Sequence, residues 1–213
     1  MSAPVYLRLL EAEKHFGERK LLSRASFRLS WGEKAVLIGP NGAGKTTLFR
    51  ILAGRESLDG GRLERLGGTR VFYLPQDFRP KGGSVWELAY RSTPLWAAEQ
   101  ALGRVLPEES AAAWERVREL SFWKGRIGRT LADFGLGQEL WEREVSGLSG
   151  GEGVRLGLAM AFLSGAEVLL LDEPTTHLDL RMRLRLEELL LAYPGALGLI
   201  SHDRALVARV AST

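Results

Sequence analysis

The chain has 213 residues, 45% of them hydrophobic and 26% charged, a balance that suits one large globular domain or a domain with a small insert. A formal net charge of +3 gives no indication of a polyanion-binding surface. The lack of cysteine removes disulfides, thiolate metal sites and cysteine nucleophiles, His15, His177 and His202 lie too far apart for zinc spacing, and no run of about 18 apolar residues is present to span a bilayer.

The opening reads as β structure, with strands at Val5 to Leu10 and Ala25 to Leu29 and a turn at Trp31-Gly32-Glu33. The stretch MSAPVYLRLLEAEKHFG has neither the apolar core nor the cleavage site of an export signal. Lys34 to Gly39, KAVLIG, is a short apolar strand ending in glycine, and Lys45 to Ala53 reads as a helix with Gly54 at its C-terminal cap. Asp59-Gly60-Gly61 reads as a turn, and Arg70 to Leu74 as a strand stopped by Pro75. From Ser84 to about Leu140 the chain becomes rich in Ala, Leu, Glu, Arg and Trp at helical spacing, with a helix start at Pro107-Glu108-Glu109 and punctuation by Gly103, Gly125, Gly128, Gly135 and Gly137. The expected domains are therefore a core of residues 1–83 and 141–213 and an inserted helical subdomain of residues 84–140. The last third alternates helix (Gly150 to Leu163), strand (Glu167 to Leu171), helix (Arg181 to Leu191) and strand (Ala196 to Ile200), and Asp203 begins a final helix. Such alternation predicts an α/β fold with a mostly parallel sheet.

Three clusters carry chemistry. GPNGAGKT, Gly39 to Thr46, fits G-x-x-x-x-G-K-[ST] and sits between a predicted strand and a predicted helix. Glycines let successive N–H groups turn inward onto phosphate oxygens, the helix N-terminus adds partial positive charge, Lys45 reaches the β- and γ-phosphates, and the Thr46 hydroxyl suits Mg²⁺. The second cluster is VLLLDEPTTHLD, Val168 to Asp179, which places Asp172 and Glu173 at the carboxyl end of a buried strand, where open α/β sheets bind ligands. There Asp172 would hold Mg²⁺ through water, and Glu173 would orient or deprotonate the attacking water. The alternative is an acidic turn that caps the next helix. The third is LSGGE, Leu148 to Glu152, whose Ser149 and Glu152 have capping-box spacing and whose glycines also suit an anion site; both roles are open.

These motifs, in this order, resemble the ATP-binding-cassette (ABC) ATPases over nearly the whole chain. The resemblance implies a P-loop NTPase fold with an N-terminal antiparallel β region and an inserted helical subdomain. Gly39, Pro40, Asn41, Gly42, Ala43, Gly44, Lys45, Thr46 and Thr47 match the Walker A loop. Gln76 in YLPQD matches the glutamine that contacts metal and attacking water. Ser149, Gly150, Gly151 and Glu152 match the signature, Val168 to Glu173 the Walker B strand with its catalytic glutamate, Asp179 the D-loop, and His202 the switch histidine. Phe16 stands in the place of the aromatic that stacks on adenine. The resemblance implies that two cassettes sandwich ATP head to tail, the phosphate loop of one facing the signature of the other.

HLD at 177–179, SHDR at 201–204 and a signature ending in Glu152 resemble the ABC-F branch, ATPases of the ribosome and translation; Thr176 stands where that branch usually has asparagine. The expectation is a cytoplasmic Mg²⁺-dependent ATPase, an N-terminal cassette that works with a second cassette and acts at the ribosome, with no direct membrane insertion. The competing expectations are the nucleotide-binding subunit of a membrane permease and a module that holds ATP without turnover.

Overall fold

The computed structural model describes residues 3–102 and 111–211. The chain divides into two units, one of residues 1–77 with 166–213 and the other of residues 78–165.

The first unit carries two sheets. β1 (Val5–Phe16) pairs antiparallel with β2 (Arg19–Ser30) and with β4 (Gly60–Arg65), in the order β2-β1-β4. The other sheet is parallel throughout, β3-β7-β6-β5, from β3 (Lys34–Leu37), β5 (Val71–Leu74), β6 (Val168–Asp172) and β7 (Ala196–Ile200). β6 and β7 are buried at every residue, which is why they read as unbroken apolar runs. α1 (Lys45–Leu52) packs Phe49, Ile51 and Leu52 into a core shared with Leu7, Leu9 and Leu29 of the antiparallel sheet and Val168, Leu170 and Ile200 of the parallel one. A Schellman turn ends α1: Gly54 takes φ 73°, its N–H donates to Ile51, and the Arg55 N–H donates to Arg50. α6 (Leu180–Ala192) and α7 (Arg204–Ala211) are capped by the side chains of Asp179 and Asp203.

β1 and β2 run longer than their apolar pattern indicates, because polar and charged residues, the buried Lys14 among them, continue the pairing past register shifts. Gly60 and Gly61 do not form the expected turn; they start β4. Gly61 has φ 78°, and a Cβ there would lie 2.4 Å from the Glu11 carbonyl oxygen, so the glycine serves a bulge against β1.

The second unit is helical: α2 (Val85–Arg91), α3 (Pro94–Leu102), α4 (Ala111–Asp133) and α5 (Gly150–Leu163). It is wider than the expected 84–140 insert because α5 packs against α2 and α4. The expected helix start at Pro107 to Glu109, and Gly103, lie outside the described residues. Gly125 and Gly128 do not interrupt the chain but lie inside α4. A Cβ at Gly128 would sit 2.9 Å from the Trp141 ring, which packs in turn against Trp86, tilted by 39° with ring centroids 4.8 Å apart.

Candidate nucleotide site

Parallel strands deliver their carboxyl ends to one edge of the sheet, and the site forms there. β3 leads into the loop Gly39 to Gly44. Gly42 (φ 77°) and Gly44 (φ 90°) take left-handed conformations that a side chain would strain, and these fold the loop back on itself ahead of α1. Lys45 donates from Nζ to the carbonyls of Gly39 at 2.8 Å and Pro40 at 3.0 Å, and the Ala43 N–H donates to Pro40. At the head of α1, Thr46 Oγ1 donates to Asp172 Oδ2 at 2.7 Å. That contact ties the phosphate-loop helix to the end of β6 across 126 residues of sequence.

Asp172 is 1% exposed, and burial pushes its carboxyl above the usual range, a shift that the Thr46 hydrogen bond opposes. The Tyr73 hydroxyl lies 3.5 Å from the same oxygen and is pushed up to about 12 by burial and then by the Asp172 charge. Glu173, the next residue, has φ 50°, a conformation that costs on the order of 1–3 kcal/mol for a non-glycine residue. Its N–H donates to the Ile200 carbonyl, and its Oε2 accepts the His202 N–H at 3.2 Å. His202 Nε2 lies 3.5 Å from Glu173 Oε1, a buried oxygen with no hydrogen-bond partner.

A cleft of about 570 Å³ collects these groups. Of the residues expected from sequence, it is lined by Phe16, Asn41, Gly42, Gly44, Lys45, Thr46, Thr47, Gln76, Asp172, Glu173 and His202. Arg19, Leu21 and Ile200 line it too and were not expected. Arg19 donates to the Gly42 carbonyl at 2.9 Å and so braces the loop from β2. The signal for Arg19 and Leu21 was the period of two, which puts both on one face of a strand that starts just past Phe16.

Other expected residues have local roles. Asp179 caps α6 through the Met182 N–H. Ser149 caps α5 in a complete capping box: its hydroxyl accepts the Glu152 N–H, and the Glu152 carboxylate accepts from the Ser149 N–H at 2.8 Å and hydroxyl at 2.7 Å. These bonds hold the Glu152 carboxyl below the usual range. Gly150 and Gly151 form the first turn of that helix.

The donor set fits magnesium with a polyphosphate. Magnesium prefers oxygen ligands and takes one or two carboxylates plus phosphate oxygens. Thr46, Asp172 and Gln76 offer hydroxyl, carboxylate and amide oxygens on one cleft. Among the described residues no group of three or more His, Cys, Asp and Glu would hold a metal of another kind. Also among them, no helix is long and apolar enough to cross a membrane.

The profile of the family described as ABC transporter matches residues 22–176. Ribosome protection protein VmlR of Bacillus subtilis (strain 168) is 34% identical over 199 residues, 93% of this chain and 32% of its own. Tylosin resistance ATP-binding protein TlrC of Streptomyces fradiae is 36% identical over 220 residues, 94% of this chain and 40% of its own. The solved structure of the RNase-L Inhibitor matches with a TM-score of 0.73 at 27% identity, over 99% of this chain and 36% of that one. The chain spans less than half the length of each of these proteins. It belongs to the ABC transporter family and is an ATP-binding cassette, most similar to those of the ABC-F-type proteins.

Proposed function

We propose that the chain binds Mg²⁺ and ATP in the cleft and hydrolyses ATP when two cassettes pair, as the switch of a cytoplasmic protein that acts at the ribosome. The observation that carries the ATPase reading is the 2.7 Å contact of Thr46 with Asp172 beside the glycine loop, with the unpartnered Glu173 oxygen next to it. The ribosome is favoured over a permease by the similarity to VmlR, a ribosome protection protein.

The family resemblance suggests the roles, and placement in the cleft supports those of Phe16, Lys45, Thr46, Gln76, Asp172, Glu173 and His202. Phe16 is the platform for the base. Backbone N–H groups of residues 42–47 and the Lys45 ammonium hold the phosphates. Thr46, Asp172 and Gln76 would hold magnesium, which would neutralise charge on the phosphoryl oxygens. Glu173 accepts the proton of the attacking water or orients it, and its strained backbone aims the carboxylate into the cleft. His202 sits against that carboxylate and contacts the terminal phosphate. Ser149 to Glu152 serve the nucleotide of a partner cassette.

Calorimetric titration with Mg·ATP, followed by phosphate release from wild type and Glu173→Gln, tests the reading. Binding is expected in both, and turnover is expected to fall at least about 100-fold in the variant, the size of a general-base contribution. Equal turnover in the two proteins would remove the assigned base. Pelleting of Glu173→Gln with ribosomes in ATP, above the level of nucleotide-free wild type, is the expected result for the ribosomal role. Co-purification with a membrane protein instead would favour the permease.

A further inference from the structure

Lys14 and Phe16 are two residues apart near the end of β1. The Phe16 ring is 53% exposed and lines the cleft, whereas Lys14 is 6% exposed. The Lys14 ammonium donates to the Ser57 carbonyl at 2.8 Å and pairs with Glu56 at 2.8 Å and Asp59 at 3.6 Å. All three acceptors belong to the segment that follows α1. Asp59 also accepts the His15 N–H at 2.6 Å and donates its own N–H to the Glu13 carbonyl at 2.9 Å. The end of β1 is thus fastened at several points to the chain that leaves the phosphate-loop helix.

A buried lysine needs such partners whatever it does, so the ion pairs alone assign nothing beyond stability. The ring is what adds meaning. Lys14 Nζ lies over the Phe16 ring, 5.5 Å from its centroid. A phenyl group has no hydrogen bond to set its plane, and at the exposed end of a hairpin little packing does so either. A cation on one face supplies an orienting contact through the ring quadrupole and leaves the other face for a ligand.

We propose that Lys14 is a positioning residue for the nucleobase: anchored by Glu56, Asp59 and Ser57, its ammonium holds the Phe16 ring in the plane on which a purine stacks. The inference rests on the reading of Phe16 as the base platform. Lys14 and Asp59 are charged at neutral pH, since the bond to Glu56 raises Lys14 above its ordinary value and the His15 N–H lowers Asp59. Through the anchor the loop after α1 bears on the Phe16 ring only by way of Lys14.

The test compares Mg·ATP with magnesium and inorganic tripolyphosphate, a ligand with phosphates and no base, by calorimetry. Wild type, Lys14→Met, Phe16→Ala and the double variant are measured, with thermal melting to confirm folding. Lys14→Met is expected to weaken ATP binding about threefold, in line with a cation–π contact to a half-exposed ring, and to leave tripolyphosphate unchanged. Phe16→Ala is expected to weaken ATP about tenfold, and adding Lys14→Met to it should cost nothing more. Equal losses for ATP and tripolyphosphate, or the full Lys14→Met loss in the Phe16→Ala background, would overturn the proposal. If Phe16→Ala leaves ATP affinity intact, the base-platform reading falls first. If Phe16→Ala weakens ATP while Lys14→Met does not, only the role of Lys14 falls. Should Lys14→Met fail to fold, Glu56→Gln loosens the anchor and keeps the ammonium. It is expected to show a smaller loss confined to ATP, and a loss shared by both ligands would again overturn the proposal.

Discussion

Lys45 is aimed by its own loop. The carbonyls of Gly39 and Pro40 accept from its ammonium at 2.8 and 3.0 Å, which curls the side chain over the glycine turn that leads into α1. A charge-assisted hydrogen bond contributes about 1.5–3 kcal/mol, so Lys45→Ala is expected to weaken Mg·ATP binding about 10- to 150-fold in a titration. Unchanged affinity would mean that the phosphates are held elsewhere. Lys45 was legible because its chemistry is local: loop, ammonium and hydroxyl fall within eight residues. Arg19 was not. It touches the loop at Gly42 from 23 positions upstream, and only the path of β2 brings it there. Thr46 and Asp172 were legible as partners on one magnesium, whereas their direct hydrogen bond was not, since it depends on which strand of the sheet ends beside α1.

Among the elements, α5 shows how far a local pattern carries. Its bounds, Gly150–Leu163, coincide with those read from sequence, because a capping box marks the start and an apolar helix pattern fills the rest. Removing the cap by Ser149→Ala is expected to cost about 1 kcal/mol of stability in urea unfolding at neutral pH. The pH dependence has a definite sign. Bonds from Ser149 depress the Glu152 carboxyl in the folded chain, so they add stability above the ordinary value of 4.5, and this is lost as pH falls through the folded value. The deficit of Ser149→Ala should therefore shrink in acid, and a deficit that grows there would contradict the assignment. β4 illustrates the opposite case. Gly60-Gly61 has the composition of a turn, yet Gly61 supplies the positive φ and close approach of a bulge in a strand pair, a requirement set by β1 from 50 residues earlier. No window of sequence around Gly61 contains that partner.

At the scale of the whole molecule, one chain holds one phosphate loop and one signature, and the family resemblance puts each against its opposite number in a second cassette. If so, a site is shared between two chains and can be dissected by mixing. Lys45→Ala removes the phosphate ammonium and leaves the signature untouched. Gly150→Asp does the reverse: a Cβ at Gly150 meets nothing within 4 Å, so the substitution leaves packing undisturbed and sets a carboxylate at the helix start expected to face a phosphate. Each variant alone should turn over ATP at a small fraction of the wild-type rate. In a mixed pair, however, one of the two sites combines the intact loop of the Gly150→Asp chain with the intact signature of the Lys45→Ala chain. By the two-fold symmetry of such a pair, half of the randomly assorted dimers carry one good site, so an equimolar mixture is expected to recover about a quarter of wild-type turnover. Phosphate release no greater than the mean of the two single variants, at concentrations where wild type is active, would show that each cleft works within its own chain.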